Sequence, residues 1–216
     1  MNAAQSARRS RFAKPLPREF YARDTEIVAR ELLGAILECR TRDGIAAGCI
    51  VETEAYLGEH DLACHAAAGR TERTAPLYGP AGIAYVYFIY GRYWCFNAVT
   101  RAEHAPSAVL VRAIEPVQGI DLMQRRRPKA HRPMDLTNGP GKLCLALGIA
   151  GDHNWHPLDQ PPLVIRAGSA IPDSGVTVSP RIGITQCADW PLRWFVSGNA
   201  FVSRTPSHFS QTSFAV

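Results

Sequence analysis

From residue 25 onward, apolar positions recur at helical spacing. Ile27, Val28, Leu32, Leu33 and Ile36 make one stripe, with Asp24-Thr25 suited to the N-cap and Gly34 to the end, so the pattern predicts a helix over 25–35. The period then changes. Residues 36–40 and 45–54 are short runs rich in small and β-branched side chains, and Asp43-Gly44 between them signals a hairpin. Residues 57–83 include Gly58, Gly69, Gly79, Pro80 and Gly82 and show no sustained period, the mark of a long irregular segment, and such segments in compact domains tend to be functional. In residues 85–97, seven of thirteen side chains are aromatic, and Gly91 is placed to turn the chain. This predicts an aromatic hairpin with Tyr90, Gly91 and Arg92 at or near its tip. Residues 108–114 read as a buried strand carrying one cation, Arg112, and residues 117–127 as a helix ending in arginines. Residues 139–148 read as a glycine turn leading into a short apolar helix, and 162–203 as closing strands. The fold class expected is α+β: a single domain with a mixed, largely antiparallel sheet, surrounding helices and a protruding aromatic β-hairpin. Pro15 and Pro17 set off a flexible basic arm, 1–14, from a folded domain over 15–216.

Composition narrows the class. The chain is 46% hydrophobic and 20% charged, which excludes a disordered protein. No apolar run approaches the roughly 20 residues of a spanning helix, so no membrane partner is expected. The first residues are basic but lack an apolar core, which argues against secretion. The net charge of +5 is concentrated: residues 1–23 carry Arg8, Arg9, Arg11, Lys14, Arg18 and Arg23 against Glu19, and the remainder balances to zero. A second cluster, Arg125, Arg126, Arg127, Lys129 and Arg132, follows the predicted helix. Lysine occurs only at 14, 129 and 142; arginine suits bidentate phosphate contacts, although GC-rich codons give the same bias. The six cysteines form no C-x-x-C pair and fit no zinc spacing, so neither metal nor disulfide is expected.

Glu52 and Glu54 lie two positions apart in a predicted strand, hence on one face. Two carboxylates in an apolar strand need partners, and Arg112 is the natural one. Spacing alone leaves a structural ion pair and a catalytic pair equally open. The position of Glu54 at the strand end, beside the irregular segment, favours it over Glu52. Tyr56, His65 and Tyr87 are candidates for an aromatic slot around a planar base, where stacking is worth about 1–3 kcal/mol per base; core filling is the competing reading. Tyr90-Gly91-Arg92 at a hairpin tip buries poorly and has the shape of a wedge with a phosphate contact behind it.

The strings IVETEAYLG, Asp61-x-x-x-His65, YVYFIYGRYWCFN, VLVRAIEP and GPGKL, in that order, resemble the alkyladenine (3-methyladenine) DNA glycosylase family, over about residues 25–203. The resemblance implies a domain over 15–216 that excises alkylated or deaminated purines from duplex DNA by base flipping. Glu54 then resembles the general base and Arg112 the residue orienting it. Tyr56, His65 and Tyr87 resemble the stacking walls, Asn97 a gatekeeper beside the flipped base, and Tyr90 the intercalating wedge. Arg92, Lys142, Arg125, Arg126 and Arg127 become candidates for DNA contact. No cofactor is implied, and a monomer is expected, cytoplasmic and nucleoid-associated in a bacterium or nuclear in a eukaryote. No lysine sits where a lyase amine is needed, which argues for a monofunctional enzyme leaving an abasic site. Thr74, where the family usually has asparagine, and Arg92, where some relatives are apolar, depart from the pattern. Two other classes use some of these residues. A non-catalytic nucleic-acid-binding module needs the hairpin but not Glu54, and a nucleoside hydrolase needs the carboxylate but not the wedge.

Overall fold

A computed structural model describes residues 13–203. Most of the basic arm expected over 1–14 therefore lies outside the described residues. Its last two residues are tied to the fold, since the Arg166 guanidinium donates to the Ala13 carbonyl and the Ala167 amide to that of Lys14.

In chain order the elements are α1 (Arg18–Tyr21), α2 (Thr25–Glu31), β1 (Ile36–Thr41), β2 (Gly44–Tyr56), β3 (Ala84–Ile89), β4 (Tyr93–Val99), β5 (Ala108–Gln118), α3 (Ile120–Arg126), α4 (Pro140–Leu147), β6 (Leu163–Arg166), β7 (Val176–Ser179) and β8 (Arg193–Val196). The fold is α+β, built on one eight-stranded sheet in which six strands run in the order β3-β4-β5-β2-β1-β6 and β8 joins β2 and carries β7, with every strand pairing antiparallel. Residues 57–83 form only single 3₁₀ turns. Among the described residues, no helix is long and apolar enough to cross a membrane.

The long strand β2 organises the molecule. Along one edge its first half pairs with β1 and its last residues, Glu52–Glu54, pair with β8; along the other it pairs with β5. The register against β5 shifts where Val51 and then Arg112 are skipped: Ile50 faces Ile114, Glu52 faces Ala113 and Thr53 faces Val111. Such bulges re-aim side chains, and here they lie beside both carboxylates and the arginine. Helix α2 packs on β2 through Val28 and Ala29, and the Thr53 hydroxyl donates to the Ala29 carbonyl at 2.8 Å. The main core gathers Leu32, Leu37, Ile50, Phe96, Val109 and Leu143, all fully buried. A smaller cluster of Cys64, Leu77, Tyr78, Ile83 and Tyr85 has Tyr56 and Tyr87 packed against it.

Two helices are shorter than their patterns predict. α2 ends at Glu31, because Gly34 turns the chain at φ +89° and sends its amide to the Ile50 carbonyl at 2.9 Å; a Cβ there would collide with the Ser169 carbonyl. Ile27, counted in the apolar stripe, is 49% exposed. α3 starts at Ile120, since Val117 and Gln118 extend β5 as far as the Ala47–Gln118 pair before Gly119 (φ +73°) breaks the strand.

Candidate active site

Between the end of β2, the hairpin β3–β4 and the N-terminus of α4 lies a cavity of about 360 Å³. Tyr56, His65, Tyr87, Tyr90, Asn97 and Arg112, six of the residues singled out in the sequence, line it together. His65 comes from the irregular segment and meets Tyr87 edge to face, ring centres 4.5 Å apart at 68°. Its Nδ1 lies 2.8 Å from the Tyr85 hydroxyl. Burial, and then the Arg73 guanidinium nearby, push the His65 imidazole below its ordinary value of 6.5, so the ring is neutral at pH 7. Burial also pushes Tyr85 up to about 12 and Tyr87 higher still, so both keep their hydroxyl protons. The cavity therefore presents neutral aromatic surface. Asn97, opposite Leu110 in β5, donates its Nδ2 to the Tyr85 carbonyl at 3.1 Å.

Glu54 is fully buried and does not line the cavity; its three donors do. Tyr56 donates its hydroxyl to Oε2 at 3.0 Å, the Ile182 amide donates to Oε1 at 2.8 Å, and Arg112 Nη1 lies 3.2 Å from Oε1. The carboxylate thus sits immediately behind a wall made of the groups that bind it. Burial first, and the Glu54 anion second, push the Tyr56 phenol well up, which keeps it a donor. Burial works against the Arg112 charge, but Glu54 and Glu52 outweigh it and strengthen its hold on its proton. Oε2 accepts one hydrogen bond among the described residues, so a lone pair remains for one more donor.

Glu52, the other half of the pair, is engaged differently. It accepts Arg112 Nε (3.1 Å), Arg193 Nε (2.7 Å), the Ser203 hydroxyl (2.8 Å) and the Ser203 amide (2.7 Å), joining three parts of the chain. The structural ion pair that spacing left open is thus realised on Glu52, while Glu54 stands behind the cavity wall.

The candidate DNA-contact residues are dispersed. Tyr90 stands 81% exposed at the hairpin tip at φ +53°, beside Gly91 at φ +62°, and Arg92 is exposed next to them. Lys142, at the third position of α4, donates to Asn138 Oδ1 at 2.7 Å. In the arginine cluster Arg125 is exposed, whereas Arg126 donates to the Ala146 carbonyl (3.1 Å) and to Thr41 Oγ1 (2.7 Å), and Arg127 donates to the Asp135 carbonyl (3.1 Å). Arg126 and Arg127 therefore hold α3 to its neighbours. No cluster of His, Cys, Asp or Glu among the described residues is arranged to hold a metal ion.

Sequence reasoning gave no role to several contributors. Tyr93 and the loop residues Ile182, Gly183 and Ile184 line the cavity, and a Cβ at Gly141 would lie 2.8 Å from that of Tyr93, so α4 closes directly on the hairpin. Asp61 and Arg181 form a fully buried ion pair behind Tyr56. Burial disfavours the Asp61 charge, but the bonds from Arg181 and from the Leu57 and Ala63 amides outweigh it and hold the carboxyl below its usual range. Tyr93 belonged to the aromatic run; Arg181 carried no local signal, lying 120 positions from its partner.

Comparison with known proteins finds relatives over most of the chain. Residues 19–200 match the family model described as methylpurine-DNA glycosylase. A protein of Myxococcus xanthus named "Putative 3-methyladenine DNA glycosylase" is 50% identical over 194 residues, covering 88% of this chain and 94% of its own. A protein of the same name from Methanoculleus marisnigri is 48% identical over 192 residues (88% and 98%), and one from Clostridium botulinum 42% over 200 residues (87% and 98%). The chain belongs to the methylpurine-DNA glycosylase family and is a DNA repair enzyme, a hydrolase acting on N-glycosidic bonds.

Proposed function

We propose that this enzyme excises alkylated or deaminated purines, of the 3-methyladenine type, from duplex DNA by flipping the damaged nucleotide into the cavity and hydrolysing its N-glycosidic bond. The observation that carries the reading is the convergence on one 360 Å³ cavity of an aromatic lining and a carboxylate clamped behind it. Damaged or mispaired purines cost least to unstack, a few kcal/mol at most. Tyr90, exposed at the hairpin tip and also lining the cavity mouth, is placed to fill the gap in the duplex. Once flipped, the purine stacks against Tyr56, His65 and Tyr87, with Asn97 beside it.

As the C1′–N bond breaks, its electron pair leaves with the base and positive charge develops on the sugar. The Glu54 anion stabilises that charge. Water adds to C1′ and gives its proton to the Tyr56 hydroxyl in the cavity wall, which passes its own proton on to Glu54 Oε2. Arg112 and the Ile182 amide hold Oε1 and fix the carboxylate in orientation. The products are an abasic site and the free base: a cationic base departs neutral, a neutral one takes up a proton from solvent, and Glu54 then releases the proton it received. Arg92, Arg125 and Lys142 are assigned to the DNA backbone, with a monomer as the acting species.

The test is Glu54→Gln in a single-turnover assay on duplexes with one defined lesion. Loss of a general base costs about 10²–10⁴ in rate, while lesion binding stays close to wild type. Excision at the wild-type rate excludes Glu54 as the base. Binding without excision by the unaltered enzyme, on every lesion tried, favours the non-catalytic binding module.

A further inference from the structure

Asp61 and Arg181 are both fully buried, and Arg181 is bonded in several directions at once. Its two terminal nitrogens donate to the two Asp61 carboxylate oxygens, and one of them also donates to the Ala55 carbonyl at 3.0 Å. The guanidinium lies 4.7 Å over the Tyr56 ring. Asp61 accepts the Leu57 and Ala63 amides, each at 3.1 Å. The residue after Arg181 is Ile182, whose amide donates to Glu54. One ion pair thus joins the end of β2, the segment leading to His65, and a loop over 180–184 that contains neither helix nor strand.

Stability alone is a weak reason for such a pair. Desolvation offsets the attraction, and apolar residues of similar volume often serve a fold equally well. An apolar pair cannot, however, fix the backbone at 181–182 against the carbonyl of Ala55. We infer that Asp61 and Arg181 are positioning residues for the excision reaction: their pairing seats the Ile182 amide against Glu54 and so sets the carboxylate behind the Tyr56–Arg112 wall. This inference rests on the role proposed for Glu54.

The experiment compares the full-length wild type with Asp61→Leu/Arg181→Met, Arg181→Lys and Glu54→Gln, measuring melting temperature, lesion-duplex affinity, single-turnover rate and its pH profile. The double variant is expected to melt and bind like wild type but to cut about 10²-fold more slowly, the scale set by misplacing a catalytic group by about 1 Å. The acid limb of its pH profile should move to higher pH, because a carboxylate that loses an amide donor protonates more readily. Arg181→Lys keeps the charge but loses the fork, and its rate should fall between the two. A folded double variant that cuts within about threefold of wild type with an unchanged pH profile overturns the inference. If the double variant does not fold, the same criterion applied to Arg181→Lys decides. Inactive Glu54→Gln beside a fully active double variant defeats only the positioning role; active Glu54→Gln defeats the role of Glu54 and this inference with it.

Discussion

Glu52 and Glu54 share a strand face and both meet Arg112, yet their remaining partners differ. Glu52 is bound by two guanidiniums and by both donors of Ser203, a set of partners that ties strands β2, β5 and β8 to residue 203. Glu52→Gln is therefore expected to cost stability, about 3–5 kcal/mol, as when one member of a buried ion pair is removed. Urea denaturation checks this, and a loss below about 1 kcal/mol, the level of an exposed pair, would mean that Ser203 and Arg193 find other partners. The period of two in β2 made the paired carboxylates legible in the sequence, and an arginine in an apolar strand pointed to their common partner. Ser203 and Arg193, 151 and 141 positions from Glu52, were not legible, because nothing local announces so distant a contact. His65 provides a second test at this scale. Its folded pKa lies below the ordinary 6.5, so the unfolded chain binds a proton more readily, and stability must fall as pH drops below about 6.5. Denaturation curves between about pH 7.5 and 5.5 should show a smaller fall in His65→Gln than in wild type; equal falls would assign the pH dependence to other groups.

At the scale of elements, the hairpin β3–β4 follows most directly from its sequence. Ile89 faces Tyr93, leaving Tyr90, Gly91 and Arg92 as the loop, and the Arg92 amide donates to the Ile89 carbonyl at 3.2 Å. Positive φ at both central residues suits the twist of a tight hairpin, but for tyrosine the left-handed conformation costs roughly 1–2 kcal/mol. A large aromatic held there, 81% exposed, gains nothing for the fold. Tyr90→Gly should accordingly keep or slightly raise the melting temperature, since relief of strain is offset by glycine's greater freedom in the unfolded chain. The same variant should slow excision, most for neutral, stably paired lesions and least for cationic or mispaired ones, whose unstacking is cheapest. Uniform slowing across lesions, or none, would make Tyr90 a packing residue. Strand and turn chemistry made this hairpin readable; the helix ends were less so. α2 stops four residues before its predicted limit because Gly34 meets the Ser169 carbonyl, a contact across 135 positions that periodicity cannot register.

For the whole molecule, charge and fold are separable. Residues 1–12 carry Arg8, Arg9 and Arg11 without an acid, whereas basic and acidic groups cancel from residue 24 onward. The boundary suggested by Pro15 and Pro17 moves inward, because Ala13 and Lys14 are bonded to Arg166 and Ala167. A deletion that tests the arm alone must therefore end at residue 12. Within the domain, Arg126 and Arg127 are committed to internal bonds, which leaves Arg92, Arg125 and Lys142 among the residues proposed for DNA contact. If the arm follows the DNA backbone, removing residues 1–12 lowers non-specific affinity and reduces the slope of log affinity against log salt by about 0.9 per lost phosphate contact, up to about 2.7 for three arginines. The cavity-lining residues all lie beyond residue 50, so single-turnover excision at saturating enzyme should stay at the wild-type rate. Melting temperature should also hold, since the two residues that join β6 are retained. Anisotropy titrations from low to moderate salt decide the matter: an unchanged slope makes the arm a spectator and assigns backbone tracking to Arg92, Arg125 and Lys142.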